Sequence, residues 1–178
     1  MIRRRLEGAT LKKQSFETVA RVLNDAGVQY ILVGGMAVVA HGYGRSTQDI
    51  NIVIRLRPED VYATFSALDS LGYSPRVPVT AEQFANAAQR KQWIIEKGMM
   101  VLNFHSDRYA QLPVDVFVAE PFDFPTEYDS AMIVKVAGVP VRVLRLDALL
   151  RLKRAAGRPQ DLADVAELEA LRGGPRSG

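Results

Sequence analysis

Tyr30-Ile31-Leu32-Val33-Gly34-Gly35 and, a short apolar segment later, Gly44-Arg45-Ser46-Thr47-Gln48-Asp49-Ile50-Asn51-Ile52-Val53-Ile54 decide how this chain is read. An apolar run ends on a Gly-Gly pair, a helix-like segment follows to Ala40, and a Gly-rich loop leads into an alternating strand. Side chains on a strand alternate faces with period two, so Ile50, Ile52 and Ile54 share one face while Asp49 and Asn51 share the other. Two oxygen-bearing side chains opposite a wall of isoleucine present hard ligands suited to magnesium. Gly34 and Gly35 carry no Cβ, which leaves bare amides before a helix where an anion can be cradled. Together these features predict a site for a metal-bound polyphosphate.

A later run, Pro113-Val114-Asp115-Val116-Phe117, sets Asp115 on the face opposite the valines. A charge in such a strand needs a reason to be there. It is either part of a site or an inward charge that protects a sheet edge. For Asp49 the alternative to a metal ligand is a cap at the strand entrance. Arg45 has the planar fork that neutralises phosphate, or it is an ordinary loop residue.

With these residues in view, the chain resembles the nucleotidyltransferase superfamily, which shares its fold with DNA polymerase beta. Within that superfamily it looks like the minimal nucleotidyltransferases and the AbiE-type abortive-infection toxins. The matching residues are Gly34-Gly35, Arg45-x-Thr47-x-Asp49-Ile50-Asn51, Pro113 to Phe117, and the block Leu149 to Leu162 with Lys153, Arg158 and Asp161. The resemblance spans about Val19 to Leu171. It implies a mixed α/β (α+β) sheet with helices on one side and two C-terminal helices near the mouth of the site. It also implies catalytic roles for Asp49, Asn51, Asp115 and Lys153. Nucleotide contacts would come from Gly34, Gly35, Arg45, Thr47, Arg158 and Asp161. Asp49, Asn51 and Asp115 would hold magnesium, with manganese as the alternative ion.

The implied partners are a nucleoside triphosphate and an RNA (tRNA in some relatives) or protein acceptor, with a cognate toxin or antitoxin. Small aminoglycoside- or lincosamide-type acceptors are the alternative the resemblance implies, since resistance enzymes share the fold. One departure matters: the family's strand usually reads Asp-x-Asp, and here Asn51 replaces the second carboxylate. The sequence leaves three accounts open: a working variant, a degenerate binding module, or a substitution that traps an inactive state.

The bulk properties narrow the class. At 178 residues, 48% hydrophobic and 24% charged, the chain suits one domain with a substantial core. It has no apolar run long enough to span a membrane and no signal-like h-region, so no membrane association is expected. With no cysteine, disulfides and thiolate metal sites are excluded, which fits a cytoplasmic setting. The net charge of +3 is a weak case for nucleic acid. The basic residues cluster, however, at Arg3 to Lys13 and at Arg142 to Arg158. His41 and His105 have no metal-pair spacing, and Trp93 reads as core.

The expected layout is a mobile basic arm over 1–13, one domain over 14–171 with a helical pair at 146–171, and a disordered tail over 172–178. Ser15 is expected to cap the first helix and Gly27 to stop it. Strands are expected near Tyr30 to Val33 and Asp49 to Arg55, then a helix from Pro58 to Leu71. Thr80 and Gln83 predict a capping box for a helix through Arg90. Met99 to Phe104 and Val114 to Val118 read as paired strands, and Ile133 to Leu144 as a hairpin about Gly138. Asp147 is expected to cap a helix to Ala156, with a last helix from Pro159.

Overall fold

Phe16, Val19, Ala20 and Leu23 recur at helical spacing, and all four are buried along a helix through residues 15–25, α1. The structure, a computed structural model, describes residues 15–110 and 112–174; the expected basic arm and the last four residues of the expected tail lie outside them. Ser15 is already helical, so it is not the cap, because a cap residue must itself be non-helical. Gly27 follows the helix at φ +69, the left-handed conformation that ends helices without strain.

Strand β1 is Tyr30–Val33, helix α2 Gly34–Ala40, strand β2 Ile50–Ile54 and helix α3 Pro58–Ser70. Strand β3 (Ser74–Pro75), helices α4 (Ala81–Ala85) and α5 (Ala87–Lys97), and strands β4 (Val101–His105) and β5 (Val114–Phe117) follow. Helix α6 (Phe124–Ser130), strands β6 (Met132–Val136) and β7 (Val139–Val143), and helices α7 (Leu146–Ala156) and α8 (Pro159–Arg172) complete the described residues. No helix among them is long and apolar enough to cross a membrane.

The strands form one mixed sheet in the order β3-β4-β5-β2-β1-β7-β6. β2 runs parallel to β5 and β1 parallel to β7, while the other pairs are antiparallel. The registers sort every strand residue onto a face. Ile50 pairs with Val114, Ile52 with Val116, and Leu102 with Val116, so the apolar residues make one continuous wall. α3 and α4 cover that wall. Phe65 meets Phe104 edge-on at 5.0 Å and Phe84 at 5.7 Å between ring centres.

Local chemistry explains most boundaries. Thr80 and Gln83 form the reciprocal capping box of α4, as their spacing predicts. The expected helix through Arg90 is instead two helices, because Asn86 is extended and its side chain caps α5 through the amides of Ala88 and Gln89. α7 starts at Leu146 after an extended Arg145, so Asp147 is inside the first turn rather than the cap, and it pairs with Arg172 at 2.6 Å. Ala137 and Gly138, at φ +48 and +86, close the tight β6–β7 hairpin. α6 and the two-residue β3 carry too little periodicity to be read from sequence.

The α4–α5 unit is anchored by Phe84, whose side chain is fully buried beneath Trp93 and the guanidinium of Arg90. Phe84→Ala should therefore cost about 3–5 kcal/mol in a urea unfolding experiment. A loss below about 1 kcal/mol would mean that the unit is not part of the cooperative fold.

Candidate active site

The parallel register of β2 on β5 sets Asn51 beside Asp115, and the antiparallel register of β4 sets Asn103 beside Asp115. Asn103, Asp115 and Asn51 thus form a polar row across three strands, on the face away from the isoleucine wall. Asp49, just before β2, joins the row: Asn51 Nδ2 donates to Asp49 Oδ2 at 2.8 Å. Thr47 Oγ1 donates to Asp49 Oδ1 at 3.2 Å. On the other flank Asn103 Nδ2 donates to Asp115 Oδ1 at 2.6 Å.

Burial pushes the Asp115 carboxyl above the usual carboxylate range, and the charge of Asp49 adds to the rise. The hydrogen bond from Asn103 and the charge of Arg76 oppose it without cancelling it. Asp49 and Asp115 therefore feel each other's charge across the sheet, and a cation placed between them would relieve that repulsion. Two carboxylates and one amide oxygen are hard donors, and magnesium commonly takes one or two carboxylates with water and phosphate completing its shell. The donor set fits that ion. Among the described residues no three His, Cys, Asp or Glu side chains gather into a fuller metal cage.

Both glycines of the Gly-Gly pair are sterically required. Gly34 stands at φ +67, and a Cβ there would lie 2.8 Å from Asn51 Cβ. A side chain at Gly35 would run into the Thr47 hydroxyl and, at 2.8 Å, into Arg45 Nη2. The loop therefore folds Thr47 and Arg45 over the start of α2, which has no side-chain cap of its own.

The C-terminal helices approach from the same side. Arg45 Nη2 donates to Asp164 Oδ2 at 3.1 Å, while its Nε stands 2.8 Å from Asp164 Oδ1 as a charge contact too bent for a hydrogen bond. The Lys153 ammonium is buried between Asp161 Oδ1 at 2.9 Å and Asp164 Oδ2 at 2.8 Å. Arg158 Nε pairs with Asp161 Oδ2 at 2.6 Å, yet most of its side chain is exposed. The hydrogen bond to Asp161 raises the Arg158 pKa, and the charges of Asp49 and Asp164 raise it further. The residues named from sequence thus fall into two adjoining groups: a carboxylate row on the sheet, and a cationic network in which every positive group already has an acidic partner.

Two contributors carried no signal in the sequence. Asn103 is one polar residue in an alternating strand, and nothing marks it as the partner of Asp115 before the register is known. Its Oδ1 is buried and has no hydrogen-bond partner among the described residues, which costs about 1–3 kcal/mol. Arg76 sits in an irregular segment tied to β4 by a 2.9 Å bond from its amide to Asn103 O. The two histidines serve the backbone: His41 Nε2 meets Leu144 O at 2.8 Å and His105 Nδ1 meets Ser74 O at 3.1 Å.

This architecture is the nucleotidyltransferase-like α/β fold. Several solved structures share it. The antibiotic-resistance factor ANT(2'')-Ia, in its solution structure, matches at TM-score 0.59 and 14% identity over 93% of this chain and 85% of its own. The lincosamide adenylyltransferase LnuA, solved with lincomycin, matches at 0.56 and 15% identity over 89% of this chain and 96% of its own. A nucleotidyltransferase-like protein from Paracoccidioides brasiliensis matches at 0.54 and 16% identity, over 89% of this chain and 75% of its own. No protein-family profile and no curated protein matches the sequence.

The cationic network sets a stability prediction. For Asp161, burial would raise the pKa, but hydrogen bonds from Arg158 and Lys153 outweigh it and hold the carboxyl below its usual range. A carboxylate depressed by folding stabilises fully above its unfolded pKa, and that stability is lost as pH falls through the folded value. Stability should therefore fall below about pH 4, and Asp161→Asn should flatten that fall. Lys153→Met leaves two buried carboxylates without their shared cation and should cost about 3–5 kcal/mol at neutral pH. Thermal and urea melts across pH measure both effects.

Proposed function

We propose that this chain is a magnesium-dependent nucleotidyltransferase, moving a nucleoside monophosphate from a nucleoside triphosphate to an acceptor hydroxyl. One observation carries the reading: the β2–β5 register brings Asp49 and Asp115, distant in sequence, onto one sheet face within electrostatic reach of each other. Thr47 and Asn51 hold Asp49, and Asn103 holds Asp115, so both carboxylates are fixed where a cation between them would relieve their repulsion.

Asp49, Asp115 and the amide oxygen of Asn51 would hold magnesium, or manganese. When bound, the ion neutralises charge on the triphosphate and orients its α-phosphate. The chain's own groups do the rest. Gly34 and Gly35 allow close backbone approach, and Thr47 fixes Asp49. Arg45 and Arg158 offer guanidinium groups to phosphate oxygens, with Lys153 and Asp161 holding that edge in place. The hydroxyl oxygen of the acceptor bonds to the α-phosphorus, and its proton passes to the Asp115 carboxylate. The bond from the α-phosphorus to the bridging oxygen breaks, and pyrophosphate leaves with the electron pair. The protein contributes position and charge compensation.

The sequence resemblance to AbiE-type toxins favours an RNA acceptor, tRNA among them, or a partner protein, in the cytoplasm and with a cognate antitoxin. The structural likeness to ANT(2'')-Ia and LnuA favours a small acceptor. ANT(2'')-Ia has been solved with adenylyl-2''-tobramycin, at TM-score 0.57 and 12% identity to this chain. The surface beside Asp115 bears on that choice.

A second reading has a specific observation in its favour. Asn51 donates its amide hydrogen to Asp49 Oδ2, so the neutral residue occupies an oxygen a metal would take. That is the arrangement of a binding module which has lost its chemistry. Calorimetric titration with magnesium and a non-hydrolysable triphosphate separates the two. Asn51→Asp replaces a dipole with a full charge and should tighten magnesium on the order of ten-fold, with transfer rising if the parent is impaired. Asp49→Ala should abolish transfer without unfolding the chain. Equal metal and nucleotide binding by Asp49→Ala and the parent would remove the site.

A further inference from the structure

The row of polar residues does not stop at Asp115. Asn103, which fixes the Asp115 carboxylate through its Nδ2, also forms part of the floor of a cleft of about 510 Å³ at the β4 edge of the sheet. The cleft lies between the segment from Arg76 to Val79 and helix α5. Its walls include Val79, Trp93, Met99 and Val101, and its charged lining residues are Arg76 and Lys97. No carboxylate is among the residues that line it.

Three features identify an occupant. The volume is that of a small-molecule cleft, which commonly runs from about 300 to 1,000 Å³. The walls are apolar: Val79, Met99 and Val101 line them, backed by the largely buried indole of Trp93. The charge at the rim is positive on both sides, the wrong sign for a polyamine such as tobramycin and the right sign for a carboxylate or phosphate. The floor supplies the link to chemistry, because Asn103, which lines it, donates through Nδ2 to the carboxylate that the transfer reading assigns to the acceptor's proton.

We infer that this cleft seats the acceptor, and that the acceptor is a small molecule with an apolar body, an anionic group and a hydroxyl. The inference rests on the transfer reading and narrows it. The anionic group meets Arg76 and Lys97, the apolar body lies along Val79, Met99 and Val101, and the hydroxyl points along the sheet past Asn103 towards Asp115. Asn103 acts as a positioning residue, since it works through Asp115 and does not itself react.

The chain's one tryptophan is Trp93, so its fluorescence reports occupancy of the cleft without nucleotide, metal or turnover. Two probes separate charge from shape: para-hydroxyphenylpropionate and tyramine share a phenol ring and differ in the sign of their charge. The propionate should change Trp93 fluorescence saturably and bind about ten-fold more tightly than tyramine, the preference that two partly screened rim charges give. Arg76 and Lys97 are exposed, so the double change Arg76→Gln with Lys97→Gln should leave the fold intact and erase the preference. Asp49→Ala should retain it.

Equal or tighter binding of tyramine overturns the inference, as does the absence of any saturable change with the propionate. A tRNA that moves Trp93 where the propionate does not would overturn it in favour of a nucleic-acid acceptor. A parent chain that binds the propionate but consumes no triphosphate upholds the ligand class while removing the transfer reading.

Discussion

The pairing of β2 with β5 is the constraint on which the rest of this molecule depends. Asn51 opposes Asp115 only in the observed register. A slip of one residue would turn Asp115 into the isoleucine wall and Val116 towards the polar row, which no half-buried sheet tolerates. The wall therefore does more than stabilise. Ile50, Ile52, Val114 and Val116 are all fully buried, and their packing sets the register that sets the carboxylates. Rigid strands hold functional groups more closely than loops do.

The second constraint is the buried ion network between the loop after α2 and the last two helices. Asp164 is fully buried and takes both Arg45 and Lys153, so it ties the loop to α7 and α8. Arg45 in turn lies over Gly35. A change in Asp164 would thus be felt at the Gly-Gly turn without any direct contact between them. Buried networks of this kind add little net stability over apolar packing, but breaking one partner is costly. Their use is to fix the position of groups, here the loop that carries Thr47 to Asp49.

Much of this was legible in the sequence because it rests on local pattern. The alternation from Asp49 to Ile54 and from Val114 to Phe117 gives strands and faces. The Thr80 and Gln83 box, the glycine stops and the hairpin glycine give boundaries. Long-range pairing was less accessible. Asp49 and Asp115 could be joined only through the resemblance, and Asn103 not at all, because its meaning lies in a register that no local window encodes. Lys153 and Arg158 were named for phosphate; local spacing offers Arg158 a pair with Asp161 or Asp164 as the alternative, but nothing local reveals that Lys153 is buried between both acids. Asn86 shows the limit at short range: one residue broke a helical pattern because its side chain satisfied backbone amides better as a cap than as a helix member.

The charge balance of the site constrains how a triphosphate could enter it. Arg45, Lys153 and Arg158 face Asp161 and Asp164, which leaves the network with one net positive charge. Asp49 and Asp115, when both are ionised, and Arg76, whose charge reaches Asp115, then bring the whole region to no net charge. On the transfer reading, a triphosphate would meet a region with no net positive charge to offset its own, a charge that a cation arriving with it would supply. Asn51 acts on both sides of that balance. A carboxylate there would hold a metal more firmly, but it would also make the region net negative and repel a nucleotide that came without one. On the transfer reading, the amide would sacrifice metal affinity and spare that repulsion, which would suit loading by a preformed metal–nucleotide complex better than binding of the metal first.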